Sequence, residues 1–290
     1  MFKISVVGDE VSQDFQSVVN FAEEFNLEAI EIRSVWNKPP QALTPRDIEQ
    51  MKGVLDGTGI KIVGIASPFL KCDIDDMKER EEHLGILQAC IKLAKAFDAN
   101  LIRTFAFWRT DDVEQRWDEI VSAYDEPVKI AENEGIILGL ENEASTSLAT
   151  AKLTERFVRE IDSSNIRVIW DPANEFYAEG WGETPYPDGY ERLKNMMVHV
   201  HVKDSAKNRG TGKIECVAIG EGVIDWQSQL QALVDDGYDG YISLETHWRP
   251  ARNLDEDLLN RPGGNTFSEA GAEACRICME NLFAMIEKLR

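Results

Sequence analysis

Short runs rich in β-branched and aliphatic residues recur along the chain, at residues 2–8, 29–35, 62–67, 101–107, 137–143, 167–171, 198–204 and 241–247. Between them lie longer stretches whose apolar residues repeat with helical spacing, as in Phe15 to Ala22, Leu84 to Ala94 and Trp226 to Val234. Helix ends carry their own punctuation. Thr44-Pro45 places a proline at a first helical position, and Asp225 stands as a cap before the run from Trp226. Gly59, Gly135 and Gly237 follow helical stretches, where a left-handed stop is expected. Eight strand-like runs alternating with helices predict an α/β fold, a (β/α)8 TIM barrel filling residues 1–290 as a single domain. An open doubly wound sheet is the runner-up. It would carry a glycine-rich turn after its first strand, where this chain has Gly8-Asp9-Glu10. No linker or low-complexity tract divides the chain, and loop expansions are expected at 175–188 and 248–267.

In a barrel, alternate strand residues face the lumen and the surrounding helices. On that parity the last four runs bury Leu138 and Leu140, Val168 and Trp170, Val198, Val200 and Val202, and Ile242 and Leu244 against helices. The opposite parity turns Glu141, Glu143, Asp171, His199, His201, Lys203, Ser243, Glu245 and His247 inward, mostly near C-terminal strand ends, where barrel active sites are built. Glu141, Asp171, His201 and Glu245 then form a ligand set, one from each of four successive strands. Three carboxylates gathered with an imidazole repel one another unless a cation sits among them. The set therefore predicts one divalent metal ion. Hard oxygen donors with a single nitrogen favour Mn²⁺, with Mg²⁺, Co²⁺ or Zn²⁺ as alternatives.

The charge balance narrows the partners. Asp and Glu number 52 against 31 Lys and Arg, a net charge of −21 that repels polyanions, so nucleic acid is not an expected partner. No segment approaches the roughly 20 uninterrupted apolar residues of a membrane helix. The opening Met-Phe-Lys-Ile-Ser-Val-Val-Gly has no signal-peptide anatomy, and five scattered cysteines suit reduced thiols. A cytoplasmic protein with no membrane partner is expected. Cys275 and Cys278 resemble half of a redox or zinc motif, but with no second pair they read as small buried side chains.

Gly139-Leu140-Glu141-Asn142, Trp170-Asp171-Pro172-Ala173-Asn174, His199-Val200-His201-Val202-Lys203-Asp204 and Ser243-Leu244-Glu245 resemble the ligand strands of the xylose-isomerase-like barrels. That superfamily includes sugar and sugar-phosphate isomerases, ketose 3-epimerases, inosose dehydratases and endonuclease IV nucleases. Gly220-Glu221-Gly222 resembles its turn before the seventh helix. The resemblance implies metal ligands at Glu141, Asp171, His201 and Glu245, with Glu141 and Glu245 also moving protons as the catalytic pair. It implies a sugar isomerase or epimerase acting on a ketose or related keto-sugar through an enediolate that the ion would stabilise. The alternative is a lyase or dehydratase on a keto-sugar or keto-inositol; a non-catalytic carbohydrate-binding barrel and a nuclease stand further off. The chain departs from the epimerases at Asn174, where they carry a histidine. It departs from the nucleases at Ser67 and Arg103, and its four histidines, His83, His199, His201 and His247, are too few for a three-metal cluster.

The expected partner is thus a small-molecule sugar, with homo-oligomerisation left open. Substrate contacts are expected from Arg103, inward by parity with Phe105 and Phe107, and from Asn174, Lys203, His247 and Trp108. Lys203 alternatively pairs with Asp204 or Glu221, and Arg103 with a carboxylate on the barrel floor. His199 is read as a deeper supporting or core residue and Lys207 as solvent-exposed. Trp36, Phe69, Trp181 and Trp248 are further aromatics available to stack on a sugar ring.

Overall fold

The computed structural model describes residues 1–178, 180 and 182–290. Its strands, in chain order, are β1 (Lys3–Val7), β2 (Ala29–Ile32), β3 (Lys61–Phe69), β4 (Leu101–Thr104), β5 (Ile137–Glu141), β6 (Ile166–Trp170), β7 (Met197–Val202), β8 (Asp204–Lys207), β9 (Ile214–Val217) and β10 (Tyr241–Leu244). Among the described residues, β1 to β7 and β10 form a parallel barrel that closes where β10 pairs with β1. The expected (β/α)8 fold is the fold observed. β8 and β9 form an antiparallel hairpin between β7 and β10, outside the eight runs read from the sequence, so that Lys207 lies on a strand of the hairpin and not in a loop.

Local chemistry starts the helices where expected. The Thr44 hydroxyl accepts the Asp47 amide while the Asp47 carboxylate accepts the Thr44 amide, and Asp225 caps the helix Trp226–Asp235 through the Ser228 amide. Gly135 ends its helix in the left-handed region at φ 68°. Outside the barrel, Val168, Trp170, Val200, Val202, Ile242 and Leu244 are buried beneath the helices. The Trp170 indole N–H also finds a partner there, donating to Gln229 at 2.7 Å.

Inside, the lumen beside β5 is tightly filled. A Cβ at Gly139 would lie 2.7 Å from Ile169 Cδ1 and 2.9 Å from Leu101 Cδ1, so only glycine lets those side chains meet. Gly139→Ala is expected to lower unfolding free energy by about 1–3 kcal/mol through overpacking. A reduced denaturant midpoint at unchanged slope would register it.

Above β7, Asp204 fixes the return to the barrel. Its carboxylate accepts the amides of Gly220, Gly222 and Ile224 at 2.9–3.2 Å. A Cβ at Gly222 would fall 1.9 Å from Asp204 Oδ1, and Gly220 has φ 88°, so the Gly-Glu-Gly turn is shaped around this buried acid. Asp204 is therefore not the partner of Lys203. The two point to opposite sides of the chain.

Candidate metal centre

Glu141, Asp171, His201 and Glu245 are brought together at the C-terminal end of the lumen, each fully buried, with one donor atom from each lying within 4.8 Å of all the others. His201 Nδ1 lies 3.0 Å from Glu141 Oε1 and 3.3 Å from Glu245 Oε2, so the imidazole bridges the two glutamates. On its far side Nε2 lies 3.1 Å from Glu31 Oε2. Glu31 thereby fixes which nitrogen faces the carboxylates, as outer carboxylates do for metal-binding histidines. His199 extends the same chain, 3.2 Å from Glu31 and 2.7 Å from the Ser243 hydroxyl, in the supporting position expected.

Asp171 is held just as firmly. Its Oδ1 accepts the amides of Ala173 and Asn174, capping the short helix Pro172–Tyr177 and leaving Oδ2 turned to the cluster. The Asn142 amide grips the Asp171 backbone from both sides, donating to its carbonyl at 2.8 Å and accepting its N–H at 2.9 Å. Asn174 Nδ2 donates to Glu141 Oε1 at 3.3 Å.

Three cations reach into the cluster. Lys203 Nζ lies 2.7 Å from Asp171 and 3.5 Å from Glu245. Arg103 Nη1 spans Glu141 and Glu245 at 3.0 and 3.2 Å, and Arg33 donates to Glu245 at 2.7 Å while its other nitrogens hold Asp9 and Glu10. Burial works against charge throughout, but proximity overrides it for most of these groups. Burial lowers the His201 pKa, yet Glu245, Glu31 and Glu141 together hold it well above its ordinary value. Glu245 is kept well below the carboxylate range: burial opposes ionisation, and His201 and Lys203 outweigh it. For Asp171 burial prevails over the Lys203 charge, with Glu141 and Glu245 adding to it, and the carboxyl is pushed up to about 6.

The donor set fits a divalent ion. Three carboxylates and one imidazole nitrogen converge; Asp171 and His201 are oriented from behind so that Oδ2 and Nδ1 turn to the cluster, while Arg103 and Arg33 hold Glu141 and Glu245. Loading requires His201 to give up its proton and Lys203 to withdraw from Asp171.

Of the expected substrate contacts, Asn174, Lys203 and His247 line a cavity of about 890 Å³ above the cluster, together with Glu143, Tyr177 and Trp248. Arg103 lies among the carboxylates, not on the cavity wall. His247 is buried with a left-handed backbone (φ 48°), and burial drives its pKa down to about 3, so it is neutral. Trp108 does not line the cavity. Its ring receives Lys71 at 5.5 Å and Arg261 at 5.1 Å from the centroid, which occupies it with cations. Phe105 points inward under Arg103, whereas Phe107, at φ 64°, breaks the alternation and meets Arg80 of a flanking helix. Phe69 is buried beside His83, Trp36 packs edge-on to Phe15, and Lys207 is exposed on the hairpin. Trp181 lies outside the described residues. Cys275 and Cys278 are buried free thiols, as expected of small packing side chains.

Sequence reasoning missed Glu31, Arg33, Asp9, Glu10 and Lys71. The first two obey the same alternation as the ligands, since Glu31 in β2 and Arg33 just beyond its end interleave with Ile30 and Ile32.

Three comparisons bear on this site. A family model described as Xylose isomerase-like TIM barrel matches residues 19–274. An uncharacterised protein of Methanocaldococcus jannaschii is 30% identical over 217 residues, covering 70% of each chain, and a protein of Erwinia tasmaniensis named inosose dehydratase is 25% identical over 234 residues, covering 72% of this chain and 76% of its own. Among solved structures, the IOLI protein, crystallised with a zinc atom, superposes with a TM-score of 0.76 at 18% identity, over 100% of this chain and 99% of that one.

Proposed function

Since the chain belongs to the xylose isomerase-like TIM barrel family, we propose that it is a divalent-metal-dependent enzyme that isomerises or epimerises a keto-sugar. The observation carrying this reading is the convergence of Glu141 and Glu245 on one nitrogen of His201, Nδ1, at 3.0 and 3.3 Å in a buried cluster. Such a pair can take a proton from the carbon beside a carbonyl and return one elsewhere. Glu141, Asp171, His201 and Glu245 would hold the ion, with Mn²⁺ the first choice for a set dominated by hard oxygens. When bound, it supplies Lewis acidity against the negative charge that develops on the substrate oxygens.

The chain's own groups supply the rest. One glutamate removes the proton while the other delivers one. Arg103 touches both carboxylates at once, which fixes their separation. Asn174 and His247 on the cavity wall orient substrate hydroxyls, and the burial of the whole cluster excludes bulk water from the proton transfer.

Elimination is the second reading, favoured by one further observation. The Lys203 ammonium reaches Asp171 and Glu245 and borders the cavity, where it can protonate a departing hydroxyl. The relatives named inosose dehydratase agree with that outcome. Incubating metal-loaded protein with ketoses and keto-inositols in deuterated water separates the two. Isomerisation conserves product mass apart from any deuterium gained beside the carbonyl, and elimination loses one water. No exchange and no product across the panel would overturn both readings.

A further inference from the structure

Beside the carboxylate cluster, but outside the proposed ligand set, lies a second ion pair. Lys71 follows the end of β3, and its Nζ sits 3.6 Å from Glu143 Oε2, with the lysine side chain 7% and the glutamate 15% exposed. Neither is an ordinary surface partner. The Lys71 ammonium rests on two aromatic rings, 4.8 Å from the Phe105 centroid and 5.5 Å from that of Trp108. Glu143 Oε1 is fixed by the Ser145 amide at 3.1 Å and the Ser145 hydroxyl at 2.9 Å. Each charge is thus held from behind by groups that are not its partner, and their mutual contact is longer than a close hydrogen bond.

Position gives the pair a use. Glu143 stands two residues beyond Glu141 on the same inward parity, and it lines the cavity together with Asn174 and Lys203. Those two residues touch Glu141 and Asp171, so a molecule reaching the carboxylate cluster passes along the same wall. A rigid acceptor braced from behind by a cation, offered beside the reacting centre, suits a hydroxyl group that donates to it.

We infer that Glu143, braced by Lys71, forms a hydroxyl-reading subsite, in which the Glu143 carboxylate accepts from a hydroxyl of a polyhydroxylated substrate remote from the carbons that react, while the Lys71 ammonium holds that carboxylate in place. The inference rests on the keto-sugar reading and adds to it the residues that set specificity. A site built to bond a hydroxyl leaves its own polar groups unpaired when that hydroxyl is missing, so it rejects deoxygenated analogues strongly.

The test uses metal-loaded wild type with the Glu143→Gln and Lys71→Met variants. Ketoses and 2-keto-myo-inositol serve as substrates, myo-inositol as a calorimetric binding probe, and monodeoxy forms of each bound compound as comparators. Wild type is expected to disfavour one deoxy analogue by roughly 10- to 100-fold. Glu143→Gln is expected to raise KM, and the Kd of myo-inositol, by a similar factor with kcat changed little, and to abolish discrimination at that one hydroxyl. Metal content and melting temperature should stay near wild type in this nearly isosteric variant, which keeps the test valid if Lys71→Met does not fold. Retained discrimination in Glu143→Gln, or loss of metal in its place, overturns the subsite alone. Wild type that holds metal yet neither binds nor turns over any of the compounds overturns the keto-sugar reading and the subsite with it.

Discussion

Protein purified without chelator is expected to carry about one divalent ion per chain, and Asp171→Ala and His201→Ala to carry almost none. Each change removes one of four converging donors and also undoes its support. Asp171→Ala uncaps the helix Pro172–Tyr177 and leaves the Lys203 ammonium facing only Glu245, while His201→Ala deprives Glu31 of the nearer imidazole. Second-sphere loss alone typically costs 10- to 100-fold in metal affinity, so removal of a direct donor should cost more. Affinity should also depend on pH. The surrounding carboxylates raise the His201 pKa in the absence of metal, so the proton competes with the ion and is displaced when the ion binds. Below that raised pKa, affinity is expected to fall about tenfold per pH unit for each proton released. Elemental analysis gives the occupancy, and calorimetry in buffers of different ionisation enthalpy counts the protons. Unchanged metal content in both alanine variants would remove the ligand assignment.

Replacing Glu141 or Glu245 by glutamine should cost at least about 100-fold in kcat/KM if the proposed pair moves the proton, the lower bound for a positioned general base. Size and shape are preserved, so the loss reports the missing basicity once occupancy is matched at saturating metal. The two variants should not behave alike in stability. Glu245 meets Arg33, Arg103, Lys203 and His201, whereas Glu141 meets Arg103, His201 and Asn174. Neutralising Glu245 therefore leaves more buried positive charge uncompensated, and its melting temperature should drop further. Full activity of either variant at full occupancy would sink the paired-carboxylate mechanism, whatever the product.

Much of this arrangement was legible because barrels impose one rule on every strand. Inward polar residues alternating with outward aliphatic ones identified Glu141, Asp171, His201, Glu245 and Arg103 before any contact was visible. Glu31 and Arg33 carry the same signal beside Ile30 and Ile32, but in a short run with no motif around it to mark their chemistry. Other features obey no such rule. Asp9 and Glu10 sit on one helical turn, Gly8–Val11, so strand parity says nothing of their direction, and their shared partner Arg33 is more than twenty residues away. Lys203 misleads in the opposite sense. Asp204 is its neighbour in sequence, but alternation along extended chain sends the lysine to the lumen and the acid into the Gly-Glu-Gly turn. Trp108 fails as a sugar platform because two cations from distant loops claim its ring, and no pattern local to residue 108 reveals them.

The anchoring of Asp204 separates chemistry from shape. Its carboxylate ties the start of the hairpin to the turn at residues 220–224, so both ends of that excursion are fastened independently of what lies between. The hairpin supplies Lys213, Ile214, Glu215 and Cys216 to the cavity wall but no donor to the carboxylate cluster. Its tip can therefore be lengthened, shortened or grafted from another barrel without disturbing His201, only a few residues upstream. In an evolving lineage, such a fastening lets the range of accepted molecules drift while the reacting machinery is inherited intact.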